Sequence, residues 1–239
     1  MIYKIADFNI DISFLHSETA LFLTGYEAEE GAEADFSIKV TDADIDREED
    51  GVIGIEKKLR FSRAYLERLA ILRKLAGEIL NRDAFLMHGA VIEYEGNGYL
   101  FGAASKTGKT THILLWQELF GKENVCIING DKPILRMIDG RFYAYGTPWC
   151  GKEGFYANRR VELCGISFIK RAKQNSIEKI SETNALQNIM AQIMVTDSAN
   201  LSRQLDLVGS LIESVPMYNL YCNKDILAAE VAYSGMRKK

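Results

Sequence analysis

The chain has 239 residues, of which 47% are hydrophobic and 26% charged, with a formal net charge of −4 at pH 7. These values are typical of a soluble globular protein that holds one sizeable α/β domain or a catalytic domain plus a small appendage, and the negative charge disfavours nucleic acid as a partner. The sequence has no apolar run near the roughly 20 residues of a membrane span and no signal-peptide layout at its start, so it predicts a cytoplasmic protein without membrane contact.

The first third of the chain predicts a small α+β region. Apolar and polar residues alternate over residues 2 to 16, which indicates two short strands, and further strands are plausible near 35 to 40 and 52 to 60. Residues 27 to 50 are rich in Asp and Glu and are interpreted as a solvated surface with mobile loops. From Ser62, a candidate N-cap, apolar residues recur at helical spacing to about Asn81.

The rest of the chain alternates hairpins and helices around a glycine-bearing loop. A hairpin of Phe85 to Tyr94 and Tyr99 to Gly102 precedes the loop, and a second hairpin turns at Asp139-Gly140. Hairpins on both sides of the loop predict an α/β domain with a mixed or antiparallel sheet over residues 85–239, after an N-terminal region of residues 1–84. The other predicted elements are a helix at Lys109 to Phe120, a strand at Val125 to Ile128, a strand at Glu162 to Lys170, helices at Ala185 to Met194 and Leu201 to Ser214, a strand at Met217 to Tyr221 and a helix from about Lys224.

The clearest motif is the stretch Phe101 to His112, which contains Gly-Lys-Thr between a predicted strand and a predicted helix. A P-loop needs this order, because successive backbone N–H groups and the helix N-terminus surround the phosphate. Lys109 then reaches the β- and γ-phosphates, and the Thr110 hydroxyl coordinates Mg²⁺. Ala103 replaces the usual first glycine, and its methyl group fits if φ stays negative. The residues predicted to hold the nucleotide are Ala104, Ser105, Lys106, Thr107, Gly108, Lys109, Thr110 and Thr111.

A metal site at this loop also needs a carboxylate. Asp131 follows the predicted strand Val125 to Ile128, at the place where a Walker-B-like acid lies beside the threonine of the loop. Asn-Gly-Asp is also common in turns, so Asp131 has a second interpretation as a plain turn residue. Given the neighbouring loop, we predict that Thr110 and Asp131 hold Mg²⁺.

Around this motif the chain resembles a known family. His88-Gly89-Ala90, Gly146-Thr-Pro-Trp149 and Leu163 to Ile169, together with the hairpin, the loop and the acidic strand end, are similar to HPr kinase/phosphorylase and phosphoenolpyruvate carboxykinase-like proteins. The likeness is nearest to the short bacterial relatives of HPr serine kinase and covers roughly residues 85 to 200. The loop Ser105 to Thr111 is also close to the carboxykinase form. The resemblance implies a P-loop domain of this fold behind a small β-rich N-terminal region.

The resemblance also implies roles for single residues. The family has a histidine near the transferred phosphate that corresponds to His88, for which a packed structural role is the alternative. Its strand end carries two adjacent aspartates, one for the metal and one as base towards the acceptor, but here Gly130 occupies the first place. A serine acceptor then needs another base, for which Glu153 and His88 are candidates. The predicted catalytic residues are His88, Lys109 and Asp131.

Two downstream features are open to more than one interpretation. The loop Gly146 to Gly154 carries a Trp, a Lys and a Glu, a combination suited to a substrate or nucleotide clamp. In the alternative interpretation, Trp149 has a structural role and anchors the loop to the hydrophobic core. Arg159 and Arg160 are candidates to bring a positive charge to the γ-phosphate. Consecutive side chains point in different directions, so at most one of the two contacts it.

These features predict a Mg²⁺-dependent kinase that uses ATP or GTP and phosphorylates a hydroxyl on a small protein, a peptide or a metabolite. One alternative is a nucleotide-binding accessory or switch module for a peptide-modifying system, which the missing second aspartate favours. Carboxykinase-like decarboxylation is a weaker alternative, because the chain has no evident ligand set for the second metal of that chemistry. The sequence does not distinguish ATP from GTP, and a homo-oligomer is compatible with the resemblance.

Overall fold

The structure is a computed structural model that describes residues 1–53, 61–194 and 200–237. The chain divides into two compact units, Met1–Ile79 and Leu80–Lys239. In the described ranges, no helix combines the length and the apolar character needed to cross a membrane.

The first unit contains a three-stranded sheet in the order β1-β2-β3, with β1 and β2 antiparallel and β2 and β3 parallel. The two predicted initial strands are confirmed, and the long helix begins after Ser62, whose Oγ accepts a hydrogen bond from the Tyr65 N–H at 3.2 Å. Three helices accompany the three strands, so the region is less β-rich than predicted. The elements are β1 Ile2–Ile5, β2 Phe8–Ser13, α1 Ser17–Phe22, β3 Phe36–Lys39, α2 Asp42–Ile53 and α3 Arg63–Leu80. The last residue of α3, Leu80, is the first residue of the second unit.

Most acidic residues of the segment 27–50 are exposed, as predicted, but its second half forms helix α2 where mobile loops were predicted. Glu48 on this helix is buried, and Arg73 of α3 forms an ion pair with it in which Nη2 lies 3.0 Å from Oε2. Cationic side chains of α3 thus pair with acidic side chains of α2, which the sequence alone predicts to be solvated. The strand predicted near 52 to 60 does not start there, since α2 runs to Ile53, and residues 54–60 lie outside the described ranges.

The second unit is built on a mixed sheet in the order β4-β8-β9-β10-β6-β5-β7, with β12 beside β10 and β11 beside β12. Strand β10 runs parallel to β6 and β12, and the other pairs are antiparallel. The mixed sheet expected from the hairpins is therefore confirmed. The elements are β4 Ala84–Leu86, β5 Gly89–Tyr94, β6 Asn97–Gly102, α4 Lys109–Phe120, β7 Val125–Asn129, β8 Ile134–Ile138, β9 Arg141–Tyr145, β10 Arg160–Arg171, β11 Ser176–Lys179, α5 Glu182–Met190, α6 Leu201–Ser214, β12 Met217–Cys222 and α7 Leu227–Met236.

Strand β10 organises this sheet because it pairs with three partners in succession. Its first residues, Arg160 to Glu162, pair with β9, the middle pairs with β6, and the end, Ile166 to Arg171, pairs with β12. A register shift between Leu163 and Gly165 marks the change of partner. The sheet curls there, and two hydrophobic clusters fill the space between it and the helices.

The predicted strand over Phe85 to Tyr94 is in fact two strands. Strand β4 pairs with β8, whereas β5 pairs with β6 and β7, and the chain changes partner at Met87 and His88. Their N–H groups donate to Pro133 O at 3.2 Å and Gln192 O at 2.7 Å, so the break is hydrogen-bonded. This change of partner places His88 at a strand junction instead of inside a hairpin arm.

Gly146 is required where the chain leaves β9. A Cβ there would overlap Ala157 O and lie 2.6 Å from Ile128 O, and its own N–H donates to Arg159 O at 3.1 Å. Gly146→Ala is therefore expected to lower the free energy of unfolding by about 3 kcal/mol or more, measured by urea denaturation. The control is Gly209→Ala in α6, where a methyl group meets open space and is expected to be neutral or to stabilise by about 0.5–1 kcal/mol. Equal effects of both changes would contradict this packing.

Candidate functional site

The predicted phosphate-binding loop, residues 103–108, which we call the phosphate loop, lies between β6 and α4 in the predicted order of strand, loop and helix. Lys106 has φ 63° and Gly108 has φ 130°, so the loop bends tightly through two residues with positive φ. Ala103 keeps a negative φ, and its methyl group is buried in the core against α4. The alanine in place of the first glycine is therefore accommodated without backbone strain.

Arg171, the last residue of β10, holds the outside of this loop. Its Nε donates to Thr107 O at 3.1 Å, and its Nη2 donates to Lys106 O. In a trans peptide the N–H points opposite to the C=O, so fixing the Thr107 carbonyl on the guanidinium turns the Gly108 N–H away from it. Sequence reasoning missed this arginine, because no local signal connects residues 64 positions apart.

Lys109 begins α4 and is nearly fully buried. Its Nζ donates to Ala103 O at 3.0 Å and lies 2.9 Å from His88 Nε2. Burial lowers the pKa of Lys109, while the Asp131 carboxylate raises it and the Lys132 ammonium lowers it. The amino group therefore lies at the loop, between Ala103 O and His88 Nε2.

This lysine is the first of four side chains in a row of successive contacts, which we call the polar row: Lys109, His88, Asp131 and Lys132. His88 Nε2 lies 3.2 Å from Asp131 Oδ1, and Lys132 Nζ donates to Asp131 Oδ2 at 2.7 Å. A single ring nitrogen faces both an ammonium and a carboxylate, so Nε2 either accepts from Lys109 or donates to Asp131. The structure thus brings together the three predicted catalytic residues and adds Lys132, which sequence reasoning missed.

Asp131 is ionised at neutral pH in this setting. Burial alone would raise the pKa of its carboxyl group, but the hydrogen bond with His88 and the charge of Lys132 outweigh burial and lower the pKa to about 2. Both carboxylate oxygens have partners, Oδ1 at His88 and Oδ2 at Lys132.

Asn129, the last residue of β7, positions the turn that carries Asp131 and Lys132. Its Oδ1 accepts from the Asp131 N–H at 2.8 Å and the Lys132 N–H at 2.7 Å. Its Nδ2 donates to Thr147 O at 3.0 Å and Oγ1 at 3.1 Å, and the Thr147 hydroxyl donates to Lys132 O at 2.7 Å. Asn129 and Thr147 are both fully buried, so this network is a rigid support for the two charged side chains.

Asn129→Ala is expected to lower the free energy of unfolding by about 3 kcal/mol, because several buried polar groups lose a partner at about 1 kcal/mol or more each. Urea denaturation measures the change. The control is the exposed Asn124, whose Nδ2 donates to Phe120 O, and for which alanine is expected to cost less than about 1 kcal/mol. If Asn129→Ala were as mild as Asn124→Ala, the support would lie elsewhere.

Ala104, Ser105, Lys106, Thr107 and Gly108 form the loop itself, and Thr110 and Thr111 follow in the first turn of α4. Thr107, Gly108 and Thr110 are half-buried, and the exposed ones are Ala104, Ser105, Lys106 and Thr111. The described residues contain no group of three or more His, Cys, Asp or Glu that would hold a metal by itself. Mg²⁺ at nucleotide sites takes one or two carboxylates and completes its shell with phosphates and water, so the carboxylate of Asp131 and the hydroxyl of Thr110 are donor types that such an ion uses.

Gly130, which stands where the resembled proteins have the first of two adjacent aspartates, lies in a crowded place. A Cβ on Gly130 would lie 2.9 Å from Cys150 O, and the Gly130 N–H donates to Phe155 O at 2.9 Å. The segment 149–155 thus packs over this position, and a carboxylate cannot be added without moving it. Trp149 is buried, and its carbonyl oxygen accepts from the Lys132 N–H at 3.1 Å.

The remaining candidate residues lie outside the polar row. Glu153 is exposed. Arg159 pairs with Glu93 at 2.8 Å, and Arg160 donates to the Tyr145 hydroxyl at 3.0 Å. Both arginines are therefore engaged away from the phosphate loop.

Among solved structures that resemble this chain is a distant one. The structure of the HPr(Ser) kinase/phosphatase from Coxiella burnetii is similar over 62% of this chain and 91% of that chain, at 8% sequence identity and a TM-score of 0.36. No protein-family model matches the chain, and no curated protein matches its sequence. A likeness this distant says nothing about activity, so the HPr-kinase-like assignment remains a prediction and the proposals below rest on this chain's own residues.

Proposed function

We propose that this protein binds ATP or GTP at the phosphate loop and transfers the terminal phosphoryl group to a hydroxyl on a small protein, a peptide or a metabolite. The observation that carries the proposal is the polar row, in which His88, Lys109 and Asp131 meet within hydrogen-bonding distance although they come from a strand junction, a helix start and a turn. Phosphoryl transfer depends mainly on positioned charge, and this arrangement supplies cations, an imidazole and a carboxylate beside an anion-binding loop.

The loop and Lys109 account for nucleotide binding. Backbone N–H groups at the start of α4 face the phosphates, and the Lys109 ammonium exchanges its contact with Ala103 O for phosphate oxygens. Thr110 and Asp131 are the residues that would hold Mg²⁺, which when bound neutralises charge on the β- and γ-phosphates.

His88 is the proposed proton acceptor in the transfer. In the tautomer that carries its proton on Nδ1, Nε2 accepts from Lys109, and when Lys109 turns to the phosphates this lone pair is open to a donor from the acceptor hydroxyl. The acceptor oxygen forms a bond to the γ-phosphorus, the bond from phosphorus to the β-phosphate oxygen breaks, and its electron pair leaves with the nucleoside diphosphate. The hydroxyl proton passes to Nε2, and Asp131 Oδ1 stabilises the resulting imidazolium.

A nucleotide-binding accessory or switch module is the second candidate. The observation that favours it is Gly130, since the crowding by Cys150 O leaves no room for the base that the resembled family carries at that position. On this alternative the protein binds the nucleotide and releases phosphate slowly, without passing it to an acceptor.

Transfer of label from γ-labelled ATP and GTP tests the proposal. The purified protein is incubated with Mg²⁺, labelled nucleotide and mixtures of serine- and threonine-containing peptides or hydroxylated metabolites, and His88→Gln serves as the matched variant. Label that reaches an acceptor with the wild type and falls at least about 100-fold with the variant supports a kinase. Tight binding without transfer to any acceptor supports the accessory module.

A further inference from the structure

We propose that Lys132 is a second phosphate-binding lysine. When the nucleotide binds, the Lys132 ammonium moves away from Asp131 and contacts the terminal phosphate. This inference rests on the proposed function and deepens it by naming a further residue of the same site. Neither the P-loop motif nor the resemblance assigns a role to this position, and the lysine follows directly after the candidate metal ligand.

The backbone of Lys132 is fixed, whereas its side chain is able to move. The N–H donates to Asn129 Oδ1 at 2.7 Å and to Trp149 O at 3.1 Å, and the carbonyl oxygen accepts from the Thr147 hydroxyl at 2.7 Å. The side chain is one-third exposed, and its one ion pair among the described residues is with Asp131 at 2.7 Å. A four-carbon stem on a fixed backbone swings its ammonium to a new partner without a change of fold.

The position of this ammonium suits the terminal phosphate. Lys109 lies beside the loop that wraps the β-phosphate, and Lys132 lies at the opposite end of the polar row, beyond His88 and Asp131. On this proposal, a triphosphate held by the loop extends along the polar row, and the cation farther from the loop meets the phosphate farther along the chain.

Electrostatic attraction favours a move of the Lys132 ammonium from Asp131 to the triphosphate. The polar row carries two ammonium groups and one carboxylate, and the second carboxylate of the resembled family is replaced by Gly130. A nucleoside triphosphate brings several negative charges, which attract an ammonium more strongly than one carboxylate does. When Lys132 leaves, Asp131 keeps His88 on Oδ1, and its Oδ2 is open to the divalent ion that accompanies the nucleotide.

Calorimetric titration with a non-hydrolysable triphosphate and with the diphosphate, both with Mg²⁺, tests the inference. The proteins are the wild type, Lys132→Met, Lys132→Arg and the control Lys122→Met, which removes an exposed lysine after α4. We expect Lys132→Met to weaken triphosphate binding at least 10-fold and diphosphate binding less than 2-fold. Lys132→Arg is expected to stay within about 3-fold of the wild type, because a guanidinium also binds phosphate, and the control is expected to change neither ligand.

The outcomes separate this inference from the proposed function. A wild type that binds neither nucleotide overturns both. A wild type that binds while Lys132→Met loses nothing, or loses triphosphate and diphosphate equally, overturns the role of Lys132 alone. Tighter triphosphate binding by Lys132→Met would mean that the lysine only competes for Asp131, which also overturns the inference.

Discussion

Replacing Asp131 by asparagine is expected to lower the Mg²⁺-dependent release or transfer of the γ-phosphate by at least about 100-fold. The change keeps the size of the side chain but removes the negative charge that faces His88 and Lys132. Without that charge, the residue no longer attracts a divalent ion and no longer stabilises a proton on His88. We therefore also expect the difference between nucleotide affinities with and without Mg²⁺ to shrink towards zero.

Phosphate release and calorimetry with and without Mg²⁺ measure these two effects. The matched control is Asp139→Asn, which lies exposed in the turn between β8 and β9 at φ 50°, a conformation that asparagine tolerates well. The control is expected to keep the rate and the Mg²⁺ dependence of the wild type. An Asp131→Asn protein that is as active and as Mg²⁺-dependent as the wild type would remove this residue from the site.

Local sequence patterns predicted the elements whose defining residues lie close together in the chain. The helix Lys109–Phe120 has the predicted bounds and is followed by Gly121, and Asp139 and Gly140 adopt the two positive φ values of the predicted turn. The P-loop motif placed Lys109 at the helix start for the same reason. Each of these predictions depends on residues within about a dozen positions of one another.

Elements held by distant partners could not be predicted in this way. Helix α1, Ser17–Phe22, was missed because its start is held by the buried Glu67, which accepts from the His16 N–H at 3.2 Å and from the Thr19 hydroxyl. The acidic helix α2 was missed because its neutralising arginines lie on α3. In both cases the stabilising charge comes from a residue at least 14 positions away.

The candidate site shows the same division. His88 was predicted from the resemblance, and Lys109 and Asp131 were predicted from the motif. The residues that hold them in place were not predicted. Arg171 reaches the phosphate loop from the end of β10, and Thr147 reaches the Asn129 network from the segment after β9. These contacts follow from the curl of the sheet, which the hairpin signals alone did not specify.

Lys109→Ala is expected to weaken nucleotide binding by at least about 100-fold, equivalent to about 3 kcal/mol. The ammonium lies buried at the mouth of the loop, where its attraction to phosphate is less screened than on the surface. The alanine variant also leaves His88 without its lysine partner, but the loop remains held by Arg171. The fold is therefore expected to survive, and thermal unfolding checks this.

The most direct test of a working phosphate loop is calorimetric titration of the wild type and Lys109→Ala with ATP and GTP, each with and without Mg²⁺. We predict that the wild type binds at least one nucleotide, more tightly with Mg²⁺, and that the folded Lys109→Ala protein loses this binding while the control Lys122→Ala keeps it. A wild type that binds neither nucleotide, or a Lys109→Ala protein that binds as well as the wild type, would contradict the assignment of this loop as a nucleotide site.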